Sequence, residues 1–287
     1  MNTRKLGSDT VSALGLGGMY LSIQGRPDEA QGIATIHAAL DAGITLIDTA
    51  DVYCLDDDDL GHNERLIAKA IRGRGVKVFV ATKGGLRRPG GAWTRDARPE
   101  RLREACEKSL AALGVETIDL YQLHAVDDRV PFADSVGALA RLREEGKVYQ
   151  VGLSNVTAAQ IEEALRIVPL ASVQNRWNPS WRQPERDGVI AACERHCLAF
   201  IPYSPFGGGR GARDLGKTGT LASEAEARGV SPYRLVLAWM LAKSPVVIPI
   251  PGARRSESIR DSAAAAELTL SAADVAAIEK GFGGKQP

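Results

Sequence analysis

The chain has 287 residues, of which 44% are apolar and 25% charged, and its formal net charge is +1. That near-neutral balance argues against nucleic acid or an anionic membrane as the main partner, and the longest apolar run is far too short for a membrane span. The four cysteines, Cys54, Cys106, Cys193 and Cys197, follow no disulfide framework, which predicts a reducing, cytoplasmic setting.

Apolar strand-like runs alternate with amphipathic helical ones from end to end. The predicted strands are Val11–Gly17, Ile44–Thr49, Lys77–Thr82, Ile118–Leu123, Tyr149–Leu153, Ala171–Gln174, Leu198–Tyr203 and Val246–Ile250. Helices are predicted near 28–42, 62–73, 99–113, 133–145, 157–168, 185–196 and 231–243, with a last pair near 256–266 and 271–280. Punctuation supports several of them. Thr157 and Gln160 form a capping-box pattern, Ser231-Pro232 is a cap followed by proline at the first helical position, and Gly43, Gly114 and Gly146 stop helices. This order predicts a single-domain (β/α)8 TIM barrel over 1–287, with an N-terminal cap, an extra C-terminal helix and a flexible tail from about 281. Gly15-Leu16-Gly17-Gly18 is a poor match to a dinucleotide-binding G-x-G-x-x-G turn, so a Rossmann site is not expected.

The strand ends collect the polar residues, and in such a barrel that is where chemistry is done. Asp48 directly follows Leu46-Ile47 and is too deep to be a surface charge; a buried carboxylate needs a cation. Lys83, at the end of the next strand, is the natural partner. Tyr53 lies five residues after Asp48, and a lysine beside it is expected to lower the phenol's pKa. His124 ends the fourth strand and can hydrogen-bond a substrate oxygen. The group reads as a phenol acid, a cation, a carboxylate that orients the cation, and an imidazole. Elsewhere, Asp56–Asp59 are expected to form a solvated acidic rim that lends the mouth a negative potential. Cys193, His196 and Cys197 share a helix, but no second ligand pair accompanies them, so no metal is expected. Trp93 is predicted to be a pocket wall and Trp239 core. The glycine-rich stretch from Gly207, with Arg210, Arg213 and Lys217 nearby, is read as a clamp over a cofactor.

These residues carry a resemblance. Asp-Thr-Ala-x-x-Tyr at 48–53, Thr-Lys-Gly at 82–84, Asp-Leu-Tyr-Gln-Leu-His at 119–124, Gly-Leu-Ser-Asn at 152–155, Tyr-Ser-Pro-x-Gly at 203–207 and Ile-Pro-Gly at 250–252 occur in the order of the aldo-keto reductase family. The chain resembles that family from about Lys5 to Ile278. The resemblance implies an NADP-dependent oxidoreductase that reduces an aldehyde or ketone to an alcohol, with NADPH (NADH possible) as reductant and a catalytic tetrad of Asp48, Tyr53, Lys83 and His124. It implies that Ser154, Asn155 and Gln174 hold the carboxamide and that Tyr203 stacks on the nicotinamide. It places further cofactor contacts at Gly18, Met19, Ser204, Pro205, Gly207, Gly208, Gly252, Arg254, Arg255, Ser256, Asp261 and Ser262. Tyr20, Trp93 and Trp177 are expected at the substrate. The same fold could instead serve as a cofactor-binding redox sensor with little turnover. The expected partner is a small-molecule carbonyl compound, with neither nucleic acid nor membrane; the physiological substrate and the oligomeric state are not legible in the sequence.

Overall fold

The structure, a computed structural model, describes residues 1–217, 219–280 and 282. The tail expected to be flexible from about 281 lies outside these residues apart from Phe282, as does the side chain of Arg210.

A parallel sheet of seven strands forms the centre: β3 (Gly15–Gly17), β4 (Leu46–Asp48), β5 (Phe79–Gly84), β8 (Ile118–Leu123), β9 (Val148–Ser154), β10 (Leu170–Gln174) and β11 (Ala199–Phe200). The segment 246–252 closes it into a barrel. On one side it pairs Val247 with Phe200, and on the other Gly252 with Gly17, both in parallel. Gly15 N donates to Pro249 O at 2.9 Å and Gly17 N to Pro251 O at 3.0 Å. Pro249 and Pro251 lack a donor, so this eighth position is held by carbonyls and alternate amides rather than by a full ladder.

The helices follow their strands: α1 (Glu29–Asp41), α2 (His62–Ile71), α3 (Pro99–Leu113), α4 (Phe132–Glu144), α5 (Ala158–Leu165), α10 (Pro232–Lys243), α11 (Ser256–Ala263) and α12 (Ala272–Lys280). Their caps are those the sequence shows. The Thr157–Gln160 capping box is formed, and the Ser231 side chain accepts from Arg234 N ahead of Pro232. Gly114 ends α3 in the left-handed conformation, with φ +69. The longest runs of buried apolar side chains join helix faces to the outer side of the sheet, while Leu46, Phe79, Leu120, Ala171, Ile201 and Ile248 fill the barrel interior.

The N-terminal cap is a hairpin of β1 (Thr3–Leu6) and β2 (Asp9–Ser12). Its Leu6 and Val11 side chains are buried among those interior residues and plug the lower mouth. The turn favours Gly7, because its φ is +54 and a Cβ there would stand 2.8 Å from Ala171 Cβ.

Several boundaries differ from the sequence reading. The run Val11–Gly17 is two strands, split where Ser12 Oγ donates to Leu14 O and accepts from Thr45 N. The expected helix at 185–196 breaks into α6 (Gln183–Arg186) and α7 (Val189–Arg195) at Gly188, which has φ +80. Beyond the expected elements are the small hairpin of β6 (Leu86–Arg87) and β7 (Thr94–Arg95) and the helices α8 (Gly208–Asp214) and α9 (Thr220–Ala227). Among the described residues no helix is long and apolar enough to cross a membrane.

Candidate active site

Strand register brings the tetrad together. Asp48 is the last residue of β4 and pairs with Gly17 and Ala81. Lys83, two residues beyond Ala81 on β5, pairs with Gln122. The loop after β4 then folds back, with Ala50, Val52 and Tyr53 packed against Met19, Leu60 and Leu86. Tyr53 thereby returns over Lys83.

Lys83 is fully buried, yet its ammonium is satisfied. Nζ donates to Asp48 Oδ1 at 2.6 Å, to Thr49 O at 2.7 Å and to Tyr53 Oη at 3.1 Å, which uses all three of its protons. Asp48 Oδ2 accepts from Gln174 Nε2 at 2.7 Å. Burial pulls Lys83 below the usual lysine range, and the Asp48 carboxylate opposes that pull and favours the ammonium. Tyr53 goes the other way from expectation: burial first, then the carboxylates of Asp48 and Asp51, push its phenol well above the ordinary value. Proximity to a lysine is outweighed because the lysine's charge is shared with Asp48. The result is a phenol that holds its proton at neutral pH, the state an acid needs.

His124 is buried, and its ring meets the Tyr53 ring edge-on at 5.8 Å. Its Nδ1 has no hydrogen-bond partner among the described residues. Burial and then the Lys83 charge hold the imidazole well below its ordinary pKa. A proton on Nδ1 would have no acceptor, so we assign the neutral tautomer with the proton on Nε2. Asn155 Nδ2 donates to His124 O at 3.0 Å, and Tyr203 Oη donates to Asn155 Oδ1 at 2.8 Å. That chain ties the ends of β8 and β9 to the segment after β11. It also accounts for Asn155 at φ +59, a left-handed conformation that asparagine tolerates better than most residues.

A cavity opens above Tyr53 and His124. Met19, Tyr20, Trp93, Ser154, Asn155, Gln174, Tyr203, Ser204, Pro205, Gly208 and Gly252, all offered by the sequence for cofactor or substrate, line it; Leu86, Phe206, Ala212 and Ile250 line it as well. Ala212 belongs to α8, whose glycine-rich sequence hides a helix. The cavity continues through Tyr20, Gly209 and Gly252 into a second hollow lined by Arg213, Arg254, Arg255 and Ser258. Gly252 is required at the junction, since a Cβ there would lie 2.6 Å from the Tyr20 ring. An aromatic-walled chamber joined by a glycine passage to a hollow with three arginines fits an extended nicotinamide dinucleotide.

Some expected site residues lie elsewhere. Trp177 is core rather than substrate wall: it is fully buried, stacked 4.9 Å from Trp239 and donating from Nε1 to Glu185. Asp261 pairs with Arg234 at 2.9 Å and accepts from Ser231, the cap of α10, so it serves a helix junction. Ser262 is buried beside it in sequence, and Ser256 Oγ donates to Ala34 O. Gly18 packs under Asn63, and neither it nor Gly207 lines the hollows. Half of the acidic rim is tied up too: Asp59 pairs with Arg26, and Asp57 accepts from Arg88 N and faces Arg87 at 3.8 Å.

A barrel with this Asp-Tyr-Lys-His floor is the working part of an oxidoreductase acting on carbonyl groups. The sequence profile of the Aldo/keto reductase family matches residues 13–281. An uncharacterized oxidoreductase of Schizosaccharomyces pombe is 36% identical over 279 residues, covering 94% of this chain and 86% of its own. Among solved structures, a glycerol dehydrogenase from Gluconobacter oxydans superposes with a TM-score of 0.84 at 31% identity, over 97% of this chain and 94% of that one. An aldo-keto reductase from Klebsiella pneumoniae, in complex with NADPH, gives 0.82 at 29%, over 98% and 95%. The chain belongs to the aldo/keto reductase family and is an enzyme that reduces aldehydes or ketones.

Proposed function

We propose that NADPH is the reductant, bound across the two joined hollows of a single barrel domain, and that Tyr53, Lys83, Asp48 and His124 carry the reaction in the cytoplasm. When bound, NADPH supplies a hydride to the carbonyl carbon of a small-molecule substrate. Tyr53 Oη gives its proton to the carbonyl oxygen as charge develops there. Lys83, held by Asp48, lies 3.1 Å from that oxygen of Tyr53 and stabilises the phenolate that proton loss leaves. His124 Nε2–H orients and polarises the carbonyl oxygen. Gln174 fixes Asp48 from the side away from Lys83, a use of this residue beyond any contact with the carboxamide. The observation that carries the reading is the fully satisfied Lys83 ammonium bridging Asp48 and Tyr53. The test is NADPH consumption at neutral pH over a panel of uncharged aldehydes and ketones. NADPH that binds but is consumed with none of them would overturn it.

Arg255 is the proposed reader of the extra phosphate. Arg254 lies over the Tyr20 ring at 5.3 Å and donates to Gln24 O, so Arg255, at the start of α11, is expected to contribute more. A charge-assisted bond is worth roughly 1.5–3 kcal/mol. Arg255→Ala is therefore expected to weaken NADPH by ~10- to 100-fold and leave NADH nearly unchanged in titrations of either cofactor. Equal losses would show that Arg255 does not read the phosphate.

A further inference from the structure

Arg88 is buried to 1% exposure, although it sits in the loop between β6 and β7 at the edge of the active-site mouth. Its two terminal nitrogens reach oxygens from three separate loops. Nη1 donates to Gly91 O; Nη2 reaches Gln24 Oε1 at 2.9 Å, Cys54 O at 3.2 Å and Leu55 O at 3.4 Å. Gln24 follows β3, and Cys54 and Leu55 follow β4. Gln24 Nε2 closes the knot by donating to Leu55 O at 3.0 Å. A desolvated guanidinium is costly unless its donors are met; here the two terminal nitrogens meet neutral carbonyls, while Nε has no hydrogen-bond partner among the described residues. No carboxylate is among them. The charge is therefore turned away from the cavity and used to fasten its rim.

That guanidinium lies over the Trp93 ring, with Cζ 4.0 Å from the centroid. Trp93 in turn meets the Tyr53 ring edge-on at 6.4 Å. Trp93 is 47% exposed and lines the cavity, while Arg88 lies over its ring. Leu86 and Phe206 add apolar surface nearby, and among the described lining residues Asp48 alone carries a full charge. Asp48 is already paired with Lys83. The chamber thus offers a flat aromatic wall beside the proton donor and no unpaired charge for an ionic substrate.

We propose that Arg88 is a positioning residue that fixes Trp93 as this wall and thereby selects uncharged carbonyl substrates bearing an aromatic or similarly flat apolar group. The proposal rests on carbonyl reduction at Tyr53. Lysine cannot replace Arg88 in this role, because a point charge neither stacks as a plane nor forks to separate loops.

The test compares benzaldehyde with propanal, and adds equilibrium binding of benzamide, an uncharged aromatic that is not reduced. Wild type is expected to favour benzaldehyde in kcat/KM. Arg88→Lys should lower that value for benzaldehyde about tenfold, mainly through KM, and for propanal less than about threefold, in keeping with the loss of one stacked cation and its ordering. Benzamide binding should weaken to the same extent, and NADPH affinity should hold. Trp93→Ala should reproduce the loss, and the double variant should be no worse than Trp93→Ala alone. Equal losses for both aldehydes, or additive losses in the double variant, would overturn the proposal. If Arg88→Lys does not fold, unchanged benzaldehyde preference in Trp93→Ala, a substitution at a half-exposed side chain, overturns it equally. Absence of NADPH consumption with either aldehyde would sink the reduction reading instead, while benzamide binding would still decide the role of Arg88.

Discussion

Replacing Tyr53 by phenylalanine is expected to lower turnover by ~10²- to 10⁴-fold, the usual worth of a general acid, with NADPH affinity kept. The variant loses one oxygen from a buried site and almost no volume. Lys83 then keeps Asp48 and Thr49 O as acceptors, at 2.6 and 2.7 Å, and the floor of the cavity should stay in place. What goes is the Tyr53 hydroxyl proton, whose release Lys83 is positioned to assist. Binding measured by cofactor fluorescence and turnover measured with one aldehyde separate the two effects. Near-normal turnover in Tyr53→Phe would remove Tyr53 as the acid. Lys83→Met should be comparably damaging to turnover. It leaves Asp48 buried without its cation, and breaking such a pair costs about 3–5 kcal/mol, so this variant should also melt earlier than Tyr53→Phe.

Replacing Asp51 by asparagine is expected to stabilise the fold in mildly alkaline solution. Asp51 follows the catalytic strand and is buried, and neither carboxylate oxygen has a hydrogen-bond partner among the described residues. The Arg101 guanidinium is 3.6 Å away and is shared with Glu104 at 3.2 Å. Glu64, also buried, faces the same space and accepts from Thr82 Oγ1 at 2.6 Å. Burial first, then the Glu64 charge, raise the Asp51 pKa from 3.8 to about 8. The folded state therefore holds a proton that the unfolded chain releases. The stability this contributes is complete below the unfolded value, declines as pH rises above it, and is gone once pH passes about 8. At about 1.4 kcal/mol per unit, the swing is on the order of several kcal/mol. Asparagine keeps the shape and cannot ionise. Urea midpoints of the parent should fall between pH 5 and pH 9 more steeply than those of Asp51→Asn, and the variant should be the more stable at the upper end. Parallel pH profiles would show that Asp51 does not titrate in that window. The same ionisation would set a negative charge behind Tyr53, which adds to the forces that keep the phenol protonated.

The fold was largely legible because its signals are local. Period, caps and glycine stops need only neighbours in sequence, and α3 and β8 fall where the pattern puts them. Elements misread were those where a distant partner decides. Ser12 breaks a continuous apolar run only because Thr45 lies opposite. The eighth strand position exists because β3 and β11 supply partners to a segment with two prolines. The glycine-rich stretch of α8 reads as a loop clamping a cofactor, since propensity disfavours a helix there.

The site divides in the same way. The order of Asp48, Tyr53, Lys83 and His124 at strand ends was enough to propose a proton donor and its cation, because alternation of strand and helix in a barrel sends strand ends to one mouth. The tertiary structure decided everything that depends on what else is within a few ångströms. It spent Lys83's three protons, turned the expected lowering of the Tyr53 pKa into a rise, and left Asp51 facing Arg101 with no hydrogen-bond partner among the described residues. It drew Trp177 into the core against Trp239 and Asp261 into a helix junction with Arg234. It also paired two of the rim's acidic residues, Asp59 with Arg26 and Asp57 with Arg87, and it buried Arg88 beside the mouth. A residue type and its place along the chain fix which groups reach the mouth. Desolvation and pairing, which set their charge and their use, are properties of contacts that form only when the barrel closes.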